Sequence, residues 1–594
     1  MMPSTEGARV PIDMMNQAGG QVHNFGFWRR TAALFCVSTK RHCFQPHWTH
    51  SLHHQVPQIH ARETTRHFSH QWGLFSSYNV HSLQLPSEEN EDMGSQSSAI
   101  LSDLSVLMKE SYATGETDGV QTTLKSNNIL SSLLANLNSE EVASFLIEAA
   151  IEAAGKDRGG LAAILNSILA SCCGTEGDNA NPQISLAILN GMDKRNSVDE
   201  TSMVTPDLVS LSLVYYAHYQ SLKENGGKEL EIVSQTILER SQKIAKKAAG
   251  SQRRKELNMA RRRGANSNEI DTKQTERNLQ SLYGPDFRIL HETSDVIVIS
   301  KPAGMVCYHS KRTGAGKISS SRKKKIRASN EKDSDTGAKW MDISIVDALI
   351  DCSVSLSTLN PSARGVVHRL DRGTSGSLIL AKSDHIHLIL TALFFLRKVE
   401  KKYLALVPGC KSTNHDAIRT EDENMKQISD DTLSLGSTGV IDAPVDGRPA
   451  RSTFRVVKEY GNETQSRLPN ALLLEVATLT GRKHQVRVHC ASLGHPILFD
   501  PLYSASSNTS SSEKGQTKGR YCLSSTLKKE MDNSIIAKTF SDLLLLDNSQ
   551  QKQQERFFLH AASLSIDELG ISVNAPLPQW WADFMEQLEK CSAN

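Results

Sequence analysis

The chain has 594 residues, of which 38% are hydrophobic, 22% charged and 6% aromatic, a length that corresponds to roughly three or four domains. Lys and Arg total 67 against 65 Asp and Glu, a formal net charge of +2, so any nucleic-acid surface must come from local clusters. The longest apolar run, residues 388–396, is about half the ~18 residues of a membrane-spanning helix, which excludes an integral membrane protein. The 10 cysteines are scattered and form no CxxC pair, which excludes a disulfide-stapled secreted domain.

The first 80 residues have the composition of a targeting leader. They carry arginines, few acids and many histidines, as organellar transit peptides do. We expect a disordered leader over residues 1–80 that directs the protein to the mitochondrion, with a plastid or the nucleus and cytoplasm as alternatives. The histidines could suggest a metal site, but no thiol or carboxylate cluster supports one. An acidic, Ser-rich linker is expected over residues 81–100.

Residues 101–250 are expected to form an α-helical accessory domain. Ser139 is expected to cap a helix that ends at Gly155, and a second helix is expected over about residues 161–170. A third is expected to have Thr205 as its cap and Pro206 at its first position.

That third helix is expected to break at Gly226-Gly227, with another helix following to about residue 249. Residues 205–242 weakly resemble one pentatricopeptide repeat, a module that binds RNA in organelles, and a plain helical accessory domain is the favoured alternative.

Basic residues are concentrated just after these helices. Nine lysines and arginines and one acid lie between Lys243 and Arg263, and residues 251–286 are expected to form a basic linker. A second basic run follows at residues 322–327. Such runs contact phosphates, serve as nuclear-import signals or are solvated linkers, and these interpretations stay open.

From about residue 287 the sequence changes to apolar strand patterns. Asp371 lies in a polar loop between an apolar pair and the strand expected at residues 378–381, which would present one carboxylate to a cleft. Arg369 and Arg372 flank it and favour its ionised form. A positioned carboxylate of this kind can act as a nucleophile or as a general base.

Two further segments carry candidate functional side chains. Residues 480–489 are expected to form a helix that reaches Leu493 and is capped by Gly494. The side chain of Arg487 would project from this helix next to its apolar face, where it could reach a carboxylate. Tyr403 is expected on a strand beside basic residues, a position suited to stacking on a base.

The segment from His368 to Gly376 resembles the His-Arg-Leu-Asp…Thr-Ser-Gly motif of the RluA-type pseudouridine synthases. Further blocks are similar to that family in the same order, and the resemblance covers about residues 287–589. These blocks are Lys301-Pro302-Ala303-Gly304, the strand of Tyr403, Thr480-Gly481-Arg482…His484-Gln485…Arg487…His489, Gly494-His495-Pro496…Asp500…Tyr503 and Leu559-His560-Ala561.

The resemblance implies an α+β fold, in which a catalytic domain with a mixed, mostly antiparallel sheet over residues 287–589 follows the helical accessory domain. It also implies that Asp371 is the catalytic residue and that no metal or other cofactor is needed. The supporting active-site residues it implies are Tyr403, Arg487, Arg369 and His368. The RNA-binding residues it implies are Arg372, Thr374, Arg482, Lys483, His484 and Gln485.

The implied activity is the isomerisation of uridine to pseudouridine in structured RNA, either rRNA or tRNA, by a protein expected to be a monomer. Two residues depart from the family pattern, Lys483 where Thr or Ser is usual and Phe499 where Gly is usual. Polar insertions are expected at residues 311–339, 411–438 and 504–555.

Two other functions are weighed against this one. The first is a non-catalytic organellar RNA-binding or assembly factor, which the presence of Asp371, Tyr403 and Arg487 together disfavours. The second is a hydrolase with an aspartate nucleophile, which would need a second carboxylate or a metal near Asp371.

Overall fold

A computed structural model describes much of the chain between residues 101 and 593. The described residues are short pieces between 101 and 133, then 137–155, 157–174, 180–198, 205–248, 272–309, 343–409, 418–419, 433–460, 471–503 and 556–593. The chain divides into residues 1–46 and 47–594, and every described residue belongs to the second unit.

Several predicted segments lie outside the described residues. They are the leader, the 81–100 linker, the basic residues from 249 to 263, the second basic run, the insertions at 311–339 and 504–555, and most of 411–438.

After short helical pieces between residues 101 and 133, five helices with described bounds form the rest of the described accessory region. They are α1 (Ser139–Ala154), α2 (Arg158–Ser171), α3 (Pro182–Val198), α4 (Leu208–Asn225) and α5 (Lys228–Ala248). Helix α1 packs on α2 and α3, and α4 packs on α2, α3 and α5. As expected, α1 ends at Gly155 and α4 at Gly226, both of which have a positive φ.

Two expected helix starts are wrong by one or two residues. Asn138, rather than Ser139, caps α1, because its side-chain oxygen accepts hydrogen bonds from the backbone N–H groups of Glu140 and Glu141. Asp207, rather than Thr205, caps α4, because its carboxylate accepts the N–H of Ser210. Pro206 therefore precedes the cap instead of occupying the first helical position.

The second half of the described chain is built on one mixed sheet. Its strands are β1 (Arg288–Glu292), β2 (Val296–Lys301), β3 (Ser375–Ala381), β4 (Glu400–Pro408), β5 (Ile418–Arg419), β6 (Thr438–Asp442), β7 (Arg451–Tyr460), β8 (Ala471–Thr478), β9 (Leu559–Ile566) and β10 (Ile571–Asn574). Their order is β1-β2-β3-β9-β4-β8-β7-β6-β5, with β10 paired to β9. Only β3 and β9 run parallel among the described pairs, which confirms the mostly antiparallel α+β fold.

Five helices accompany this sheet. They are α6 (Thr272–Tyr283), α7 (Ile345–Asp351), α8 (Asp384–Phe395), α9 (Gln485–Ser492) and α10 (Gln579–Ala593). Helix α6 lies within residues 251–286, where a basic linker is expected, and it is a helix because Leu279 and Tyr283 pack into the core. Two apolar clusters form the core, one that includes β4, β7, β8, α9 and α10, and one that includes β2, β3, α6 and α7. Tyr403 packs against both clusters, so β4 carries it to the place where the two halves of the core meet.

The accessory helices contact the sheet region through α8, which packs on β3 and on α4. Lys398, just after α8, lies 5.7 Å from the ring centre of Tyr216 on α4 and forms a 2.9 Å ion pair with Glu568. Gln242 on α5 donates a 3.0 Å hydrogen bond to Asp384, the first residue of α8. The described helices include none that is long and apolar enough to cross a membrane.

Candidate active site

The loop that carries Asp371 is fastened to the end of β2. The side chain of Lys301 is fully buried and its ammonium donates hydrogen bonds to the carbonyls of Pro302, Met305 and Arg372, at 3.0, 2.8 and 3.1 Å. The N–H of Gly304 donates to the same Arg372 carbonyl, at 2.7 Å. Burial lowers the pKa of Lys301 to about 8, but the three carbonyls provide the partners that a buried ammonium requires.

After Asp371, the chain enters β3 at a point where β3 lies very close to β9. Gly376 pairs with Ala561 where β3 runs parallel to β9, and it has a φ of +108°. A β-carbon at this position would lie 2.3 Å from the carbonyl oxygen of Ala561. Only glycine tolerates both the backbone angle and this approach, so the strand pairing depends on this residue.

Arg487 on α9 reaches Asp371, as expected. Its Nη1 donates a 3.1 Å hydrogen bond to Asp371 Oδ2, while its Nε and Nη2 donate to both oxygens of Asp500, at 2.7 and 2.8 Å. The Arg487 side chain is 4% exposed, Asp500 is fully buried, and Asp371 retains 21% exposure. The Asp371 carboxylate therefore borders a buried charge cluster and still faces solvent.

The environment of Arg487 fixes both its position and its charge. Its guanidinium carbon lies 4.5 Å from the ring centre of Phe557 and 5.1 Å from that of Tyr503. Burial acts to lower the pKa of Arg487, but the hydrogen bonds and charges of Asp500 and Asp371 outweigh it and raise this pKa above its usual range. Arg487 is consequently a permanent cation beside Asp371.

His484 approaches the other oxygen of Asp371. Its Nε2 lies 3.6 Å from Asp371 Oδ1, and its Nδ1 lies 3.1 Å from the hydroxyl of Tyr503. Burial lowers the pKa of His484 and raises that of Tyr503 to about 12, so the imidazole is neutral and the phenol protonated at neutral pH. If the Tyr503 hydroxyl donates to Nδ1, the His484 proton is on Nε2 and faces Asp371.

The expected helix over residues 480–489 is wrong in its first half. Helix α9 spans Gln485–Ser492, and it begins only at Gln485 because His484 has a left-handed backbone, with φ of +58°. Residues 480–484 form a loop instead, held by Gln485 Oε1, which accepts hydrogen bonds from Thr480 and from the N–H of Arg482. The expected core positions on this helix, Val486, Cys490 and Leu493, are buried.

Tyr403 faces the same region from β4. Burial and the nearby negative charge of Asp371 raise the pKa of its phenol above the usual range, so the hydroxyl keeps its proton at neutral pH. The ring packs against both halves of the core and remains half-buried.

His368 has a different setting from the one that its place in the motif suggested. Its Nε2 accepts a 3.0 Å hydrogen bond from the N–H of Ile379, and its ring stacks on Phe394 with centres 4.6 Å apart. Burial lowers the pKa of His368 to about 3. The neutral imidazole thus ties the loop to β3, and these contacts hold its ring against the strand and helix.

The expected RNA-binding residues divide by burial. Lys483 and Arg372 are exposed, and Arg482 and His484 are half-buried. Arg369, expected as a supporting active-site residue, is also half-buried. Thr374 and Gln485 are buried, and the side-chain NH₂ group of Gln485 donates hydrogen bonds to the Arg451 carbonyl and the Ser452 hydroxyl. In this conformation the buried amide of Gln485 holds the loop, and its expected contact with RNA stays a prediction.

Metal ligation is a separate question. The histidines, cysteines and acids of the described residues contain no group of three placed to hold a metal ion. Asp371 does have a second carboxylate nearby, that of Asp500, but Arg487 lies between the two.

Sequence reasoning gave no chemical role to Asp500, Tyr503, Lys301 or Phe557, which complete the surroundings of Asp371. Asp500, Tyr503 and Lys301 do lie in the family-like blocks, which was the available signal. Phe557 lies just before the last block and carried no signal.

Comparison with known proteins agrees with the resemblance. Residues 295–492 match the family model described as RNA pseudouridylate synthase. A ribosomal large subunit pseudouridine synthase D from Zymomonas mobilis is 32% identical over 220 residues, which cover 37% of this chain and 56% of the relative. The synthase D of Nitrosomonas europaea is 29% identical over 234 residues, covering 37% of this chain and 50% of the relative.

The chain thus spans about half the length of the curated relatives that it matches. Among solved structures, human RNA pseudouridylate synthase domain containing 4 matches with 22% identity and a TM-score of 0.29, covering 53% of this chain and 97% of that one. The RluA-type resemblance is confirmed, and residues 295–492 form a domain of the RNA pseudouridylate synthase family.

Proposed function

We propose that the protein is an RNA pseudouridine synthase that isomerises uridine to pseudouridine in structured RNA, with Asp371 as its catalytic residue. One observation carries the proposal: within the family-matching domain, the part-exposed Asp371 carboxylate is held at 3.1 Å by the buried cation of Arg487. A carboxylate that is oriented by a buried cation and still accessible is what a nucleophile or general base requires.

In the proposed reaction, Asp371 either bonds to C1′ as the bond between C1′ and N1 breaks, or takes a proton from the sugar that it later returns. The detached uracil turns and a new bond forms between C1′ and C5, which in the first case releases the Asp371 oxygen from C1′. The proton on C5 is then lost and N1 gains one, so the product is an isomer of the substrate. Arg487 holds the Asp371 carboxylate, while Tyr403 stacks on the uracil and assists removal of the C5 proton.

The target base must leave its helix to reach Asp371. We propose that Arg369, two residues away on the same loop, fills the gap that the extruded nucleotide leaves. The exposed cations Arg372 and Lys483 lie on the two loops that border Asp371 and would contact phosphates. Lys483 replaces the Thr or Ser usual in the family, so it adds positive charge beside the RNA.

We favour ribosomal RNA as the substrate, because the relatives from Zymomonas mobilis and Nitrosomonas europaea are named for the large ribosomal subunit. Transfer RNA is the alternative. From the composition of residues 1–80 we further propose a mitochondrial location. A monomeric enzyme stays a prediction. Imaging of the full chain beside the same chain lacking residues 1–80 tests the location, and light scattering tests the monomer.

The test is transcriptome-wide pseudouridine mapping, including organellar RNA, in cells that carry the wild-type chain or Asp371→Asn. Asp442→Asn, an exposed aspartate on β6, is the matched control. We expect a set of sites to vanish with Asp371→Asn alone, which would also identify the RNA. If no site changes while all three proteins are expressed equally, the catalytic proposal is wrong and the RNA-binding or assembly factor becomes the better hypothesis.

A further inference from the structure

Asp500 is a fully buried carboxylate that is not in contact with Asp371, yet it contacts the groups around Asp371. We propose that Asp500 is a positioning residue for Asp371. It directly orients Arg487, which contacts Oδ2 of Asp371, and through Tyr503 it orients His484, which lies near Oδ1. This inference rests on the proposed function and adds a residue to which that function assigns no part.

The direct connection runs through the guanidinium of Arg487. Asp500 accepts hydrogen bonds from Nε and Nη2, at 2.7 and 2.8 Å, a two-pronged geometry that fixes both the plane and the direction of the group. Nη1 is then aimed at Asp371 Oδ2, at 3.1 Å. Without this carboxylate, the long arginine side chain would have one anionic partner in place of two, and several alternative rotamers.

The indirect connection runs through the turn after α9. Asp500 Oδ1 also accepts the backbone N–H groups of Leu502 and Tyr503, at 2.9 and 3.3 Å. These bonds place Tyr503, whose hydroxyl lies 3.1 Å from His484 Nδ1. His484 in turn directs Nε2 toward Asp371 Oδ1, at 3.6 Å.

The distances indicate how the positive charge of Arg487 is divided. The two contacts with Asp500 are shorter than the single contact with Asp371, so Asp500 balances most of the arginine charge. Asp371 is thereby oriented without being sequestered, and it keeps 21% exposure. If Asp500 lost its charge, Arg487 would be free to pair fully with Asp371 and cover the atoms that react.

A purely structural ion pair is the competing explanation, because breaking any buried pair destabilises a protein. The helical region provides a control for the loss of one carboxylate charge from an ion pair. Arg240 and Asp193 form a part-exposed ion pair at 2.7 Å in that region, with side chains 28% and 44% exposed. Asp193→Asn therefore removes the same charge and keeps the same shape away from Asp371, and the melting temperature accounts for the greater burial of the Asp500 pair.

The experiment compares Asp500→Asn, Tyr503→Phe and Asp193→Asn in the full chain. The probe is a transcript that contains a uridine shown by the mapping to depend on Asp371. We expect Asp500→Asn to lower the single-turnover rate about 100-fold, as misplacement of a catalytic group does, while the Kd for RNA changes less than about twofold. Tyr503→Phe should lower the rate by a smaller factor, and Asp193→Asn should leave it unchanged.

Folding is checked by the melting temperature of each variant. If Asp500→Asn is folded and turns over at the wild-type rate, or loses rate only in proportion to RNA binding, the proposal is overturned. If Asp500→Asn does not fold, Tyr503→Phe decides: a reduced rate with unchanged Kd supports the connection, and a wild-type rate overturns it.

A second readout does not depend on activity. The Nε–H of Arg487, hydrogen-bonded to Asp500 and buried, should exchange slowly with solvent in the wild-type protein and in Tyr503→Phe, and rapidly in Asp500→Asn. Slow exchange in Asp500→Asn would overturn the positioning role even if the wild-type chain modified no RNA. Failure of the proposed function would instead appear as a wild-type chain without modified sites, whatever the exchange rates.

Discussion

Gly376 allows a sharp test of how the Asp371 loop is held. Replacing Gly376 with alanine would place a β-carbon 2.3 Å from the carbonyl oxygen of Ala561, 2.7 Å from its nitrogen and 2.8 Å from its carbonyl carbon. All three atoms are backbone, so no side-chain rotation relieves the contact. The strands must separate where β3 and β9 run parallel, at the pairs Ser375–His560 and Gly376–Ala561.

The expected cost has two parts. A non-glycine residue at this positive φ costs about 1–2 kcal/mol. Opening the parallel pairing would leave buried backbone groups unsatisfied, at about 1–3 kcal/mol each. We therefore expect Gly376→Ala to lose about 3–6 kcal/mol of unfolding free energy, a large share of the ~5–15 kcal/mol typical of a domain.

Gly436→Ala is the matched control. Gly436 also has a positive φ, +84°, but an added β-carbon would have no atom within 4 Å. It should therefore lose only the conformational part, about 1–2 kcal/mol. Urea unfolding of both variants, with pseudouridine formation measured in parallel, separates the two parts. Unfolding free energies within about 1 kcal/mol of each other would refute the argument from close approach.

Two further predictions concern buried groups. Burial lowers the pKa of His387, His489 and His560 from 6.5 to about 4. As the pH falls below 6.5, the unfolded chain therefore binds protons at these histidines before the folded chain does. The unfolding free energy should fall by on the order of 2–3 kcal/mol per histidine between pH 6.5 and pH 4. Urea midpoints between pH 7.5 and 4 measure this, and a constant midpoint would contradict it. Lys301→Met should cost about 2–4 kcal/mol and lower activity, because three carbonyls lose their common donor; equal melting temperatures for Lys301→Met and wild type would show that those carbonyls find other partners.

The sequence predicted the parts of the site that local patterns determine. Apolar residues at Val486, Cys490 and Leu493 define the buried side of α9, and the helical period then puts Arg487 beside it. The alternating apolar segments likewise indicated a sheet, and the ordered family-like blocks indicated its mostly antiparallel arrangement.

The features that the sequence did not predict depend on backbone angles or on distant contacts. The left-handed conformation of His484 shortens α9, and the residue type at this position does not predict that conformation. Phe499 has a φ of +61°, and this turn, where the family usually has glycine, precedes the carboxylate of Asp500 that meets Arg487. Lys301 lies at a strand end, where a lysine is ordinarily expected in solvent, and its burial follows from the carbonyls that the loop supplies.

Helix α8 determines which part of the chain can be separated from the rest. Every residue from Ile386 to Leu393 is buried, and a sheet can cover only one side of a helix. The opposite side is covered by α4, with Lys398 and Gln242 making polar contacts between the two regions. A fragment that starts at residue 287 would expose the apolar side of α8 to water and aggregate. We therefore expect the smallest fragment that stays in solution to include the helices that precede residue 287.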